Sequence, residues 1–304
     1  MVLGTQRGGV VLGVWRLADP KISLASFASL FLGACAAAAA GALSPGWLAV
    51  TVLGIFALEV AKNASGEIFD FDADTGVALE DRSPFSGGKR VLVDSLLTRE
   101  QVRLIALIGY LLGAGTGLAI VLTREVSVLW IGLVGMACAY FYNASPLRLS
   151  YRGFGEAAVA LCYGPLIAAG TYLVQRGTLS LDVVAVSVPL GLLIGAFLWI
   201  NEFPDYRADL AAAKRNLVVR MGRRRASRVF AGILGAAFAG MLLLPLVGAP
   251  WTVYLGAIGL PSAWSAARIA WRHPEDTARI IPAQAATLAA FVLYALGAGI
   301  GQIV

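Results

Sequence analysis

The sequence predicts an all-α polytopic membrane protein: a bundle of nine transmembrane helices with polar caps on the cytoplasmic side. Three observations lead there. Of the 304 residues, 59% are hydrophobic and only 14% charged, with mean hydropathy +0.77, whereas soluble domains carry about 25% charged residues. The apolar residues fall in long uninterrupted runs, the signature of spanning helices rather than of alternating strands. The basic residues alternate in sidedness from loop to loop.

Taken in order, the runs are about 22–43, 46–66, 101–123, 127–144, 155–174, 180–201, 226–247, 251–270 and 282–303. Arg16 and Lys21 precede the first run. It reads as a membrane helix packed through small residues rather than as a cleaved leader. Runs 1–2, 3–4, 5–6 and 7–8 are joined by short connections that hold only Arg124 and Arg176 of the 24 Lys and Arg residues. The positive-inside rule therefore puts the N-terminus and the remaining loops in the cytoplasm, with the protein in the cell membrane. The net charge of +6 is accounted for by this asymmetry, so no nucleic-acid partner is expected. Residues 1–304 read as one domain embedded in the lipid bilayer. Cys35, Cys138 and Cys162 lie in apolar runs and read as packing residues, and His273, beside Pro274, as a loop residue.

Two polar segments, 71–99 and 202–225, interrupt the pattern. Each follows an acidic motif at the cytoplasmic end of a helix. The first motif is Asn63, Glu67, Asp70, Asp74; the second is Asn201, Asp205, Asp209. At about 100° per residue, the first four lie within about 60° of one another and the second three within about 80°. Asp72 falls on the opposite side. A charge at the centre of a membrane helix costs roughly 2.5–3.5 kcal/mol on insertion scales, so aligned carboxylates imply a cation. Hard oxygen donors suit Mg²⁺, which is usually held by one or two carboxylates together with substrate phosphates. The two motifs are four runs apart, so their helices run the same way. This suggests a weak internal repeat whose acidic faces meet across a shared cavity.

Gly87 and Gly88 would let backbone N–H groups approach a phosphate, with Lys89 and Arg90 adding positive charge. Two other readings stay open at this point. The acids could pair with Lys62, Arg207, Lys214 and Arg215 in ordinary helix-end salt bridges. They could also carry cations or protons in a transporter, although such acids usually sit near mid-bilayer.

The stretch Asn63-Ala64-Ser65-Gly66-Glu67-Ile68-Phe69-Asp70, with Asp74, resembles the first motif of the UbiA superfamily of intramembrane prenyltransferases. Asn201-Glu202-Phe203-Pro204-Asp205-Tyr206-Arg207-Ala208-Asp209, with Lys214-Arg215-Asn216-Leu217 and Arg220-Met221-Gly222, resembles the second. The resemblance covers nearly the whole chain. It implies a nine-helix bundle, Mg²⁺ as cofactor, a polyprenyl diphosphate donor and an aromatic acceptor.

The stretch 142–165, with Pro146-Leu147-Arg148-Leu149, Tyr151-Arg152-Gly153-Phe154-Gly155-Glu156 and Gly164-Pro165, is similar to the 1,4-dihydroxy-2-naphthoate polyprenyltransferases of menaquinone synthesis. By that likeness Glu67, Asp70 and Asp74 would hold one Mg²⁺, and Asp205 and Asp209 a second. Asn63 and Asn201 would add amide oxygens. Lys214, with Lys89 or Arg90, would bind the departing diphosphate. Arg148 and Tyr151 would orient the acceptor, Arg148 by pairing with its carboxylate, or finish the diphosphate pocket. Glu67 stands where the family usually has Asp, and the loop Ser83–Arg90 departs from the expected pattern. Some relatives cyclise the polyprenyl chain, so a membrane terpene cyclase is the alternative.

Overall fold

The computed structural model describes residues 3–304. Every regular element among them is helical, and no strand occurs. In chain order the helices are α1 (Leu3–Ala18), α2 (Pro20–Ala39), α3 (Pro45–Phe69), α4 (Phe71–Thr75), α5 (Arg99–Thr123), α6 (Val128–Phe141), α7 (Gly155–Leu161), α8 (Ile167–Arg176), α9 (Leu181–Ala211), α10 (Leu217–Met221), α11 (Arg223–Leu242), α12 (Leu260–Arg272) and α13 (Thr277–Ile303). α7 and α8 form one rod through a π-helical turn at Cys162–Leu166. Pro165 lies in that turn and lacks the N–H that an α-turn would use, and the wider turn absorbs the lost bond.

Each of the nine apolar runs is largely helical. Six helices, α3, α5, the α7–α8 rod, α9, α11 and α13, are individually long and apolar enough to cross a membrane. Gly9–Ala18 and Ser23–Ala39 together make a further candidate with a 43° bend. α6 has 14 residues, about 21 Å at 1.5 Å per residue against a hydrocarbon core of about 30 Å. Trp251–Gly259 is wound as a tighter 3₁₀ segment ahead of α12. Helix length alone thus gives six or seven crossings, and nine stands as the count of apolar runs.

α9 is the axis of the bundle. Leu190, Leu193, Ile194 and Ile200 are essentially buried, enclosed by α7, α11 and α13. Packing is close where glycine removes a side chain. A Cβ on Gly164 would sit 2.5 Å from the Gly191 Cα, so only a small-residue pair allows α9 to approach the π turn. α3 and α5 form the main contact on the other side. Their outward residues Leu53, Leu104, Leu111 and Leu122 are well exposed, the apolar exterior that lipid requires. The composition, the helices and this exterior describe an integral membrane protein.

Two differences from the sequence expectations affect the site. α3 ends at Phe69, with Asp70 as its C-cap, and Asp74 belongs to the separate short helix α4. The first motif is therefore not one continuous helical face, although Asp72 is exposed as expected while Asp74 is buried. α9 in turn continues to Ala211, so the whole second motif is on one helix. The first polar segment folds back over the bundle. Thr277 donates to Asp81 at 2.9 Å, Ser83 donates to the Gln284 side chain at 2.6 Å, and Arg207 stands 3.6 Å from Asp81.

Candidate active site

The first acidic half is built by the end of α3 and by α4. The Asn63 side-chain amide donates to the Leu17 carbonyl at 2.8 Å, tying α3 to α1. Glu67 is filled by backbone: Lys89 N–H donates to one oxygen at 2.8 Å, and Val91 and Leu92 N–H donate to the other at 2.6 and 3.0 Å. Its carboxylate thus anchors the 83–92 loop. Asp70 accepts from the Tyr151 hydroxyl at 3.0 Å and lies 3.6 Å from the Lys214 ammonium. Asp74 is buried, and its carboxyl is raised to about 8, by burial first and then by the neighbouring Asp70, Glu67 and Asp205. Lys214 opposes that shift.

The second half is the cytoplasmic end of α9. Asn201 Oδ1 is buried with no hydrogen-bond partner among the described residues. Asp205 accepts from Gly87 N–H at 3.0 Å through one oxygen. Its other oxygen is buried beside the Ser86 hydroxyl. Asp209 accepts from the Asn216 amide at 2.8 Å and lies 3.6 Å from Lys214.

Lys214 joins the halves, standing at 3.6 Å from both Asp70 and Asp209. Burial would depress its ammonium, but Asp209, Asp70 and Asp74 outweigh that and hold it well above the usual lysine range. Tyr151 is pushed up to about 12, by burial and then by Asp70. The Arg148 guanidinium stacks 3.6 Å over the Tyr151 ring, so Arg148, Tyr151, Asp70, Lys214 and Asp209 form one connected cluster. Two residues that fall in the motif stretches but carry no expected role there hold it in place. Asn216 caps α10 and also binds Asp209, and Glu156 accepts from Leu217 N–H at 2.6 Å. Both polar side chains have partners several residues away or on another helix, which the motif spacing does not reveal.

The glycine loop lies between the halves. Gly88 has φ +71° and a Cβ there would meet Asp74 Oδ2 at 2.0 Å, so only glycine fits. The expected phosphate cradle takes a different form. The Gly87 and Lys89 N–H groups point at Asp205 and Glu67, the strongest acceptors beside them. Lys89 pairs with Asp19 at the α1–α2 junction. Arg90 donates to the Asp74 carbonyl at 3.0 Å and reaches Asp94 at 3.4 Å.

The donor set suits a hard divalent ion. It is oxygen-only, it includes the buried Asn201 Oδ1 without a partner among the described residues, and its carboxylates are crowded enough to raise Asp74. Among the described residues no three acids close around a single point, so the acids present two facing half-sites rather than a finished cage. Mg²⁺ accepts that arrangement because it keeps waters and substrate phosphates in its shell.

A cavity of about 470 Å³ lies between α3, α5, α6 and the α7–α8 rod, and Lys62 and Tyr142 on its wall are within electrostatic reach of Asp70. Its walls are apolar, with Leu58, Met136 and Leu166 among them, and Glu59, Lys62, Tyr142 and Tyr163 supply polar groups.

Curated proteins and solved structures similar to this chain share its family and its fold. The 1,4-dihydroxy-2-naphthoate octaprenyltransferase of Bacillus subtilis is 25% identical over 240 residues, covering 78% of this chain and 76% of that one. The protein of the same name from Mycobacterium tuberculosis is 31% identical over 223 residues, 73% of each. The 2-carboxy-1,4-naphthoquinone phytyltransferase of Synechocystis is 29% identical over 221 residues, 70% of this chain and 67% of that one. In fold, a UbiA homolog from Aeropyrum pernix superposes with TM-score 0.70 at 17% identity, over 90% of this chain and 96% of that chain. A homolog from Archaeoglobus fulgidus bound to GPP and Mg²⁺ superposes with TM-score 0.60 at 14% identity, over 96% and 99%. The model of the UbiA prenyltransferase family matches residues 26–289, a range that takes in both acidic motifs and every residue lining the cavity. This chain, a membrane-embedded prenyltransferase, therefore belongs to the UbiA family.

Proposed function

We propose that the protein transfers a polyprenyl group from its diphosphate to 1,4-dihydroxy-2-naphthoate, in a Mg²⁺-dependent step of menaquinone synthesis on the cytoplasmic side of the cell membrane. The observation that carries this is the pairing of two acidic half-sites, bridged by Lys214, with a mostly apolar cavity whose wall residues Lys62 and Tyr142 lie within electrostatic reach of Asp70. One end accepts a diphosphate and its counter-ions, and the other accepts hydrocarbon. Bound Mg²⁺ would neutralise the diphosphate as it leaves. Asp70, Asp74, Asp205 and Asp209 would hold it, with the free oxygen of Asn201 beside them. Lys214 is already seated between Asp70 and Asp209, and it would follow the departing diphosphate. Arg148, stacked on Tyr151, closes the same side. The Ser83–Arg90 loop covers the acids and would limit water, which otherwise competes for an allylic cation.

In the transfer, the C–O bond to diphosphate breaks and a C–C bond forms at the ring carbon that carries the carboxylate. The carboxylate leaves as CO₂ and its electron pair stays with the ring. The names of the three relatives above, each with a naphthoate or carboxynaphthoquinone acceptor, support the choice of acceptor. The test is incubation of purified protein with Mg²⁺ and a polyprenyl diphosphate, with and without the naphthoate, and mass spectrometry of the products. Acceptor-dependent diphosphate release with a demethylmenaquinol product is expected. A cyclic hydrocarbon formed without acceptor, and no adduct with it, would replace transfer by cyclisation. Full activity in EDTA would overturn the metal-assisted reading.

A further inference from the structure

Two charged side chains of α3 have no part in the scheme above. Glu59 is 6% exposed, sits four residues before Asn63, and accepts a hydrogen bond from the Ser26 hydroxyl of α2. Lys62 lies three residues beyond Glu59, on the same helical face, with its ammonium 4.9 Å over the Tyr142 ring. Both line the cavity. Lys62 lies within electrostatic reach of Glu59 itself, of Asp70 and of Lys89, and the Tyr163 hydroxyl also meets the Glu59 carboxylate. An ionisable residue inside a membrane helix is disfavoured unless it meets a partner or a polar ligand, and here two of opposite sign occupy one end of a cavity whose other walls are mostly hydrocarbon.

The chemistry complementary to that wall is a flat apolar molecule with a hydroxyl donor and a carboxylate at one end. On the reading that the acceptor is a hydroxynaphthoate, we propose that Glu59 and Lys62 are its binding pair. Lys62 pairs with the carboxylate, and Glu59 accepts a hydrogen bond from a ring hydroxyl. The order along α3 fits the reaction. Lys62 is next to Asn63 and the acids, so the carboxylate-bearing carbon faces the point where the prenyl cation forms. Glu59 lies a turn deeper and holds the ring. This moves the carboxylate from Arg148, the partner expected from sequence, to Lys62. Arg148 is stacked on Tyr151 and is not on the cavity wall.

The test combines binding and turnover. Fluorescence titration with 1-hydroxy-2-naphthoate measures acceptor binding independently of the reaction. Steady-state kinetics then compare 1,4-dihydroxy-2-naphthoate with 1,4-dihydroxynaphthalene, which lacks the carboxylate. Lys62→Met should weaken naphthoate binding and raise its KM at least tenfold, leave the KM for the prenyl diphosphate within twofold, and cause no further loss with the carboxylate-free diol. Lys62→Arg should restore most of the binding. Glu59→Met should raise the KM for both acceptors, with Glu59→Gln recovering part of it. Arg148→Gln should leave naphthoate binding within twofold. Circular dichroism melts establish that each variant is folded. Normal naphthoate binding by Lys62→Met, or a loss shared equally with the diol, overturns the pair while transfer by the wild type stands. A wild type that binds the naphthoate but does not prenylate it overturns the proposed reaction, and the binding arm still decides the pair. A wild type that binds no naphthoate overturns the pair outright.

Discussion

Asp70 and Asp205 reach the shared space from different helices, yet they differ in what already holds them. Asp70 is engaged by Tyr151 and Lys214, whereas Asp205 is held by neutral donors of one loop, Gly87 N–H and the neighbouring Ser86 hydroxyl. Both are proposed metal-side ligands, so Asp70→Asn and Asp205→Asn should each lower turnover by about 100-fold or more, since each 1.36 kcal/mol of lost transition-state stabilisation is about tenfold. Asp72 is exposed on α4, and Asp72→Asn should stay within about twofold, because a surface charge of this kind contributes little. Initial rates at saturating Mg²⁺ make the comparison. Gly88 is a second single-atom test. Alanine there combines a left-handed φ, which costs roughly 1–2 kcal/mol, with a Cβ placed on the Asp74 carboxylate. Gly88→Ala should lower both the melting temperature and the activity, and Gly115→Ala, with open space around its Cβ, should lower neither.

At the scale of elements, Glu67 distinguishes a metal ligand from a loop anchor. Three backbone N–H groups of 89–92 end on its two oxygens. Glu67→Gln replaces one of those acceptor oxygens by a donor and should release the loop. Hydrogen exchange over residues 85–93 should accelerate at least tenfold while the Mg²⁺ concentration for half-maximal activity stays within about threefold. A large shift in that concentration with unchanged exchange would make Glu67 a metal ligand instead.

The helices themselves were legible in the sequence because hydropathy is a property of each segment taken alone. So was the alignment of Asn201, Asp205 and Asp209, which depends only on helical period. Less of the first motif was legible. The periodicity of 63–74 runs through Asp70, where the backbone leaves the helix (φ −99°, ψ 8°), and periodicity carries no signal for such a break. α1 was hidden because Gly4, Gly8, Gly9 and Gly13 lower its helix propensity. Its apolar exposure at Val11 and Trp15 is visible only in three dimensions. The partners of Glu67 were equally out of reach, since backbone donors have no sequence identity.

For the molecule as a whole, sidedness is the property that ties the acidic halves to one reaction. The positive-inside argument, Lys214 bridging Asp70 and Asp209, and Gly87 bound to Asp205 all require residues 71–99 and 202–225 to share one side. Arg124, which donates to the Val174 and Gln175 carbonyls at 2.9 and 2.7 Å, belongs to the other end of the bundle. In a variant lacking Cys35, Cys138 and Cys162, single cysteines at exposed Thr75, Arg215 and Leu179 report this directly. Thr75→Cys and Arg215→Cys should react with a membrane-impermeant maleimide only from the cytoplasmic side of oriented vesicles, and Leu179→Cys only from the opposite side. Retained prenyl transfer in each variant shows that the labelled fold is the active one. Labelling of Thr75→Cys and Arg215→Cys from opposite sides would separate the halves by the thickness of the bilayer, and no cation or diphosphate could then join them. Labelling of all three from one side would instead leave the site intact but put both ends of α9 on the same side, contrary to its length and apolarity.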